Sequence, residues 1–417
     1  MTTVETIRRR FLVLLALRWF QTGLQVPVLI LLLQARGLDL TTISVVFATY
    51  SLTTAAFELP TGGLADVVGR RPVLIAAALL FVVESVGFGL GQDVVVLVAA
   101  AALGGLGRAL DSGPLEAWFV DTIHAATPQA DLKADLSRGK AIEAAALGLG
   151  ALAGGGLVAV VPVADGGSAL LDLSVPFLVS AALCVVMAAA IIGWVREPWR
   201  GPRRPVRGVV RGVPATIGTG LRLAGRAGAL RRVTILMVGM GVALAAVEVL
   251  APVAFADLLG GEARAAGPYA VLLTLGFFGS AAGSFLAPMA ARLLRSAPRG
   301  ILAARLLAAA AVLALAASSF TLVAVALVAF YALNGIARPL ISDILHRSVS
   351  SAQRATILSV QSLTIQLCGV VAVLAIGPLA QHVSLLAAFA LAAGVLALGA
   401  AACVRMPEPV RTPLTEH

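Results

Sequence analysis

The sequence predicts an all-α membrane protein with twelve transmembrane helices in two six-helix halves. Three observations predict this fold: the composition, the number of long apolar segments and the distribution of basic residues. Of the 417 residues, 59% are hydrophobic and only 12% are charged. Soluble globular chains carry about 25% charged residues, so this composition excludes that class.

The long apolar segments give the number of helices. A helix needs about 20 mostly apolar residues to cross the hydrocarbon core of a bilayer, and twelve segments meet this requirement with few charges. We call them spans 1 to 12, and they lie at 11–35, 40–60, 72–91, 94–118, 140–162, 174–195, 233–257, 268–291, 299–318, 320–341, 355–378 and 383–404.

Basic residues lie mainly on one side of the predicted membrane. With the N-terminus inside, 25 of the 31 Lys and Arg fall in cytoplasmic segments, and only Arg36 and Arg264 fall outside. Cytoplasmic loops are enriched in Lys and Arg, so we expect a multi-pass protein of the plasma membrane with both termini in the cytoplasm. The 29 Arg against 2 Lys are typical of a GC-rich bacterial genome.

A basic segment divides the chain into three parts. Residues 1–195 form the N-terminal half, 196–232 a cytoplasmic linker, and 233–417 the C-terminal half with a short cytoplasmic tail. The linker carries ten Arg and the single acid Glu197. Nucleic acid could bind such a run, but its only aromatic residue is Trp199 and it contains four Pro. We therefore expect it to contact anionic lipid head groups, with no nucleic acid as partner.

The two halves also share a weak sequence repeat. Gly107-Arg108-Ala109-Leu110 lies towards the end of span 4, and Ala337-Arg338-Pro339-Leu340 takes the same place in span 10. Two parallel six-helix halves form a substrate cavity between them at the bilayer midplane, open to one side at a time.

The loop after span 2 carries a recognisable motif. It reads Gly62-Gly63-Leu64-Ala65-Asp66-Val67-Val68-Gly69-Arg70-Arg71. This segment resembles the signature of the major facilitator superfamily, and the resemblance covers the whole chain. The resemblance implies a secondary transporter rather than an enzyme, and we expect a monomer.

The same resemblance implies a cytoplasmic gate. Its candidate residues are Gly62, Asp66, Gly69, Arg70, Arg71 and Asp121. In the family, the aspartate of the signature meets the start of span 11, which is near Arg354 here. Arg70 can pair with Asp121 at the end of span 4. The alternative is that Arg70 and Arg71 only anchor the loop to head groups.

Two departures from the family patterns limit the resemblance. The turn at 290–299 in the C-terminal half lacks the aspartate and the glycines, so gating chemistry is expected in the N-terminal half. Span 5 has a glycine-rich stretch, Gly148 to Gly156, but lacks the Gly-Pro pair usual in drug/proton antiporters. This second difference weakens the prediction of export over import.

Ionisable residues inside spans are costly and indicate function. The candidates for proton coupling are Glu84, Arg108, Asp111 and Glu248. Arg108 and Asp111 are three residues apart and share a helix face, so they are expected to neutralise each other. The resemblance adds that an arginine in span 4 recurs in proton transfer. The alternative is a static buried pair that holds span 4 against its neighbours.

Polar and aromatic residues on spans that border the predicted cavity are candidates for its lining. Each amide could instead serve helix packing. The cavity candidates are Arg18, Trp19, Phe20, Gln21, Asn334, Arg338 and Gln361.

No motif for a cofactor or for ATP hydrolysis is present, and the four His lack metal-ligand spacing. We therefore expect no cofactor or bound metal, and transport driven by an ion gradient, with protons as the coupling ion. The first candidate function is proton-coupled efflux of a small amphipathic compound, such as a drug, antibiotic or metabolite. The second is uptake of a nutrient or small anion with Arg18, Arg305 and Arg338 as ligands. A non-transporting sensor or scaffold is the third.

Overall fold

The computed structural model describes residues 3–62, 64–161, 171–197, 225, 228–348 and 351–404. The regular structure in these residues is helical throughout. Twelve spans in the same residues are long and apolar enough to cross a membrane. The predicted all-α membrane fold with twelve spans is therefore confirmed.

The bounds of the helices agree with the predicted segments within a few residues. The first six spans are Val4–Gln25 with Leu29–Ala35, Leu40–Gly62, Arg70–Leu90, Val94–Asp111 with Pro114–Ala126, Lys133–Val160, and Val175–Trp194. The last six are Ala229–Leu259, Glu262–Leu293, Ala297–Ala314, Phe320–Ser348, Ser351–His382 and Leu385–Ala400. A short helix, Leu64–Val68, lies between spans 2 and 3.

Span 4 is interrupted where the sequence contains Gly113 and Pro114. Gly113 has φ +98°, a conformation that side chains with a Cβ avoid. Pro114 occupies the first helical position after the break. The backbone N–H at this position has no partner within a helix, so a proline, which lacks the N–H, costs no hydrogen bond. Pro60 and Pro252 also lie inside helices, and spans 2 and 7 continue as helix through them. The bends that these prolines predict stay a prediction.

The two halves repeat the same helix pairing. In the N-terminal half, span 1 packs on spans 5 and 6, span 3 packs on spans 4 and 6, and span 2 packs on span 4. In the C-terminal half the corresponding pairs, 7 with 11 and 12, 9 with 10 and 12, and 8 with 10, are all in contact. The weak sequence repeat therefore reflects a structural one.

Span 2 packs on span 11 and span 5 packs on span 8, and these pairs join the halves.

We call the end of the bundle that carries Arg70 and Arg232 the basic face, and the end that carries Gly37 and Gly260 the opposite face. The Leu40 backbone N–H donates to Gln381 Oε1 (3.1 Å) near the opposite face. Thr274 Oγ1 donates to the Gly148 carbonyl (3.1 Å) nearer the middle of the bundle.

The predicted linker lies largely outside the described residues, which omit 198–224, 226 and 227. Its first residues pack on the N-terminal half, because Trp118 Nε1 donates to the Arg196 carbonyl (3.1 Å). The predicted contact with lipid head groups stays a prediction.

Candidate functional site

A cavity of about 590 Å³ lies between the two halves. Its wall combines aromatic rings with charged side chains from several spans. The aromatic lining residues are Trp19, Phe47, Tyr50, Phe81, Phe88, Tyr269, Phe277 and Tyr331. The charged lining residues are Arg18, Glu58, Glu84, Arg108 and Glu248. The described residues contain no cluster of three His, Cys, Asp or Glu that could hold a metal ion.

Asp111 pairs with Arg18 and not with Arg108, which differs from the pairing that the sequence predicts. Arg18 Nε lies 2.6 Å from Asp111 Oδ2, and the side chains are 5% and 13% exposed. Arg18 also donates to Thr22 Oγ1. The i, i+3 spacing put Arg108 and Asp111 on one helix face. It could not show that span 1 brings a second guanidinium to the same carboxylate.

Both arginines approach the ring of Trp19. The guanidinium carbons of Arg18 and Arg108 lie 5.4 Å and 5.7 Å from the Trp19 ring centroid. The Arg18 guanidinium carbon is also 4.2 Å from the Phe81 ring centroid. These distances are within cation–π range, so aromatic faces as well as Asp111 stabilise the positive charge in this part of the wall.

Glu84 and Glu248 are two of the predicted proton-coupling candidates, and both line the cavity. Among the described residues, neither takes part in a hydrogen bond or salt bridge. Glu84 packs against span 4 at Gly104, where a Cβ would overlap the Glu84 carboxylate. Glu84 interacts electrostatically with Arg18, whereas Glu248 has Tyr269 and Tyr331 in its electrostatic surroundings.

Glu58 connects the two halves. It accepts hydrogen bonds from Gln366 Nε2 (2.7 Å) and from Ser362 Oγ (3.5 Å), both on span 11. Its position within about two turns of the cytoplasmic end of span 2 favours a gating or structural role at least as much as a role in coupling. The structure places Glu58 on the cavity wall, because span 11 faces span 2 at this level.

The predicted cavity residues divide into two groups. Arg18, Trp19 and Gln21 line the cavity, and Gln21 Oε1 also accepts a hydrogen bond from Ser180 Oγ (2.8 Å). The other four, which lie outside the lining, are Phe20, Asn334, Arg338 and Gln361.

Helix rotation explains the positions of these four. The Phe20 carbonyl meets Gly150 of span 5. Asn334 is buried and accepts a hydrogen bond from Arg305. Arg338 is exposed, and Gln361 Nε2 is buried with no hydrogen-bond partner in the described part of the chain.

The Arg70–Asp121 ion pair that the sequence predicts is present. Both residues belong to the N-terminal half, so the pair connects spans 3 and 4 and does not cross between the halves. The Arg71 backbone N–H donates to Glu197 Oε1 (2.6 Å), and its side chain donates to the Ile192 carbonyl (2.6 Å). The signature loop is thereby attached to spans 4 and 6.

The remaining gate candidates are described in part. Gly69 has φ +108° immediately before span 3, so the turn requires glycine. Gly62 and Asp66 lie in helical backbone. The side chains of Asp66 and Arg354 are outside the part of the chain that the structure describes. The predicted contact between Asp66 and the start of span 11 stays a prediction.

The tyrosines are site residues that the sequence reasoning missed. The chain has only three, Tyr50, Tyr269 and Tyr331, and all three line the cavity. A buried phenol hydroxyl needs a polar neighbour, whereas phenylalanine does not. The signal that could have identified them is the use of tyrosine at these three positions inside apolar spans, where the chain more often uses phenylalanine, of which it has 15.

Comparison with known proteins supports the fold and the family. The family model described as "Major Facilitator Superfamily" matches residues 11–373. No curated protein matches the sequence. Several solved transporter structures resemble the whole chain at low sequence identity. The crystal structure of the nucleoside transporter NupG is 12% identical, with a TM-score of 0.73 over 96% of this chain and 100% of that one.

Two further similar structures are of transporters with other ligands. The human organic anion transporter MFSD10 (TETRAN) is 14% identical, with a TM-score of 0.62 over 97% of this chain and 100% of that one. A POT family transporter in complex with 5-aminolevulinic acid is 14% identical, with a TM-score of 0.69 over 95% of each chain. These likenesses show the shared fold alone. Because the family model matches residues 11–373, which is most of the chain, the chain belongs to the Major Facilitator Superfamily.

Proposed function

We propose that this protein is a proton-coupled secondary transporter that exports small amphipathic compounds by alternating access. The observation that carries the proposal is the cavity wall, where aromatic rings line the same space as two carboxylates, Glu84 and Glu248, that lack hydrogen-bond partners among the described residues. Aromatic rings favour the apolar part of a substrate, with burial worth about 25 cal/mol per Å².

The two carboxylates supply the coupling in this proposal. Glu84 and Glu248 lie deep in spans 3 and 7, where an ionised carboxylate without a partner is costly. Binding of a proton removes that cost, so each residue can exchange a proton when the cavity opens to one side and then to the other. Arg108 and the Arg18–Asp111 pair are expected to set the electrostatic potential at Glu84.

The distribution of charge supports an orientation of the protein in the membrane. We infer that the basic face is cytoplasmic, because most Lys and Arg lie there, and that the membrane is the plasma membrane of a bacterium. The Leu40–Gln381 contact joins the halves near the opposite face, which supports a cavity that is reached from the basic face.

Uptake of a small anion is the second candidate function, and Arg108 on the cavity wall is the observation that favours it. The three arginines first considered as anion ligands support it less. Arg18 is paired with Asp111, and Arg305 and Arg338 lie outside the lining. An amphipathic substrate therefore agrees better with this wall.

Transport by the purified protein in proteoliposomes tests the proposal. Glu84→Gln and Glu248→Gln, singly and together, are compared with wild type for accumulation of one neutral and one cationic fluorescent dye driven by a pH gradient. We expect at least one single variant to abolish accumulation while dye exchange without a gradient survives.

Glu143→Gln is the matched control, because it neutralises a carboxylate that pairs with Lys140 (3.0 Å) outside the cavity lining. This variant should transport as wild type does. If the double variant still concentrates both dyes in response to the pH gradient, proton coupling through these residues is wrong.

A further inference from the structure

The two carboxylates of the cavity have different surroundings. Glu84 shares the wall of the N-terminal half with Arg18 and Arg108. In the C-terminal half, Glu248 is the only charged residue among the described lining residues. Among the lining residues that the structure describes, the positive groups are therefore confined to the N-terminal half, and the C-terminal half contributes only the negative charge of Glu248.

The formal charge of the lining is negative when every carboxylate is ionised. Asp111 compensates Arg18. Arg108 then remains against Glu58, Glu84 and Glu248, which leaves two negative charges in excess. Glu58 is bonded to Gln366 and Ser362, so the carboxylates available to a bound molecule are Glu84 and Glu248.

Three aromatic residues of the C-terminal half, Tyr269, Phe277 and Tyr331, line the cavity together with Glu248. Tyr269 and Tyr331 both interact electrostatically with its carboxylate. Phe277 lies edge-on to Tyr331 with 5.5 Å between the ring centroids, and both rings line the cavity. Gly276 allows Tyr331 to approach span 8 closely, because a Cβ there would lie 2.8 Å from Tyr331 Cδ2.

A carboxylate among aromatic faces is the chemistry that recognises an organic cation. Ring faces attract ammonium groups, and they do so more strongly when water is excluded. The carboxylate adds charge complementarity. We propose that Glu248, Tyr269, Phe277 and Tyr331 form a subsite for the cationic centre of an amphipathic substrate.

This inference rests on the proposed transport function and assigns it a substrate class: compounds that carry an ammonium or related cation beside an aromatic or apolar body. Glu248 binds the cation, and the remaining aromatic wall, including Trp19 and Phe47, contacts the apolar body. Glu84, which is not part of this subsite, is then the carboxylate that exchanges protons.

Equilibrium binding to the purified full-length protein in detergent tests the subsite. Tetraphenylphosphonium serves as the cationic probe and triphenylphosphine oxide as a neutral compound with similar rings. We expect wild type to bind the cation at least about tenfold more tightly than the neutral compound, and Glu248→Gln to remove that preference. Tyr331→Phe should retain it, because the ring face remains.

Asp257→Asn is the matched control. It removes one negative charge from the same span at a residue outside the cavity lining, and it should bind both probes as wild type does. Size-exclusion chromatography and thermal unfolding show whether each variant is folded. If Glu248→Gln does not fold, Tyr331→Ala replaces it and should weaken binding of the cation more than that of the neutral compound.

Three results would overturn the subsite: no binding of the cation by wild type, equal affinity for both probes, or unchanged cation preference in a folded Glu248→Gln variant. These results are separable from failure of the proposed function. Export of a neutral dye driven by protons, without a cation preference, would remove the subsite alone. Cation binding that depends on Glu248, without proton-driven transport, would remove the proposed function alone.

Discussion

Arg18 and Asp111 lie on different spans and form a buried ion pair in the wall of the N-terminal half. Each charge makes the other tolerable in an apolar environment. Removal of one partner leaves an uncompensated charge, which costs more than the pair contributes. A loss of activity in an Arg18 single variant could therefore come from lower stability or from weaker substrate recognition, and the single variant does not distinguish the two.

For this reason we predict that Arg18→Gln lowers the free energy of unfolding by about 3–5 kcal/mol. The double variant Arg18→Gln/Asp111→Asn should recover most of that loss, because both charges are gone. Thermal unfolding in detergent checks the stability. Arg338→Gln is the control, since Arg338 is exposed and lies outside the cavity lining.

The same double variant tests whether Arg18 is itself a substrate ligand. Growth of a drug-sensitive host on a panel of neutral and cationic compounds should be restored by the double variant if the protein is an exporter of amphipathic compounds. An anion importer that uses Arg18 as a ligand would stay inactive in the double variant. If the double variant is as unstable as Arg18→Gln, the loss of stability does not come from an uncompensated Asp111 charge, and the prediction is wrong.

At the scale of elements, the glycines of span 5 serve two interfaces. Gly150 and Gly154 meet the backbone of span 1, because a Cβ at either residue would contact the carbonyl of Phe20 or Leu24. Gly155 faces Ala266 and Ala270 of span 8 in the other half. Small residues let helix backbones approach closely in membranes, so this stretch fixes the packing within and between the halves.

We predict that Gly150→Ala destabilises the protein by about 1–3 kcal/mol, since the added methyl group overpacks the contact between spans 1 and 5. Gly156→Ala is a control on the same helix, because no heavy atom lies within 4 Å of a Cβ built there. It should leave stability unchanged or raise it by up to about 1 kcal/mol. Equal thermal unfolding of the two variants would contradict the packing argument.

At the scale of the whole molecule, the halves must separate at one face while they meet at the other. The described contact between Leu40 and Gln381 holds them near the opposite face. The Arg70–Asp121 pair organises the basic face of the N-terminal half without crossing to the other half. A lock at the basic face therefore needs a contact from the signature loop to span 11, and Asp66 is the residue proposed for it.

We predict that Asp66→Asn reduces transport without preventing folding. It should also raise the reactivity of single cysteines introduced at the basic-face ends of spans 2 and 11. The measurement uses a background without Cys184, Cys368 and Cys403 and a membrane-impermeant maleimide. Val68→Asn, an exposed neighbour in the same short helix, is the control. Normal transport with unchanged reactivity would exclude a lock at Asp66.

The sequence by itself determined the class of fold, because bilayer thickness sets the length of each apolar segment and the twelve segments can be counted. It also determined the depth of Glu84 and Glu248, since position along a helix is fixed at about 1.5 Å per residue. The Arg70–Asp121 pair followed from the signature motif and the topology together.

Only the tertiary structure decided which side chains meet. Asp111 pairs with Arg18 and Glu58 meets Gln366 because spans 1 and 11 bring partners from 93 and 308 residues away in sequence. Asn334, Arg338 and Gln361 fall outside the cavity lining because the rotation of each span about its own axis is set by its neighbours. In an apolar bilayer the spans are hydrophobic on nearly every side, so the sequence pattern contains little information about that rotation.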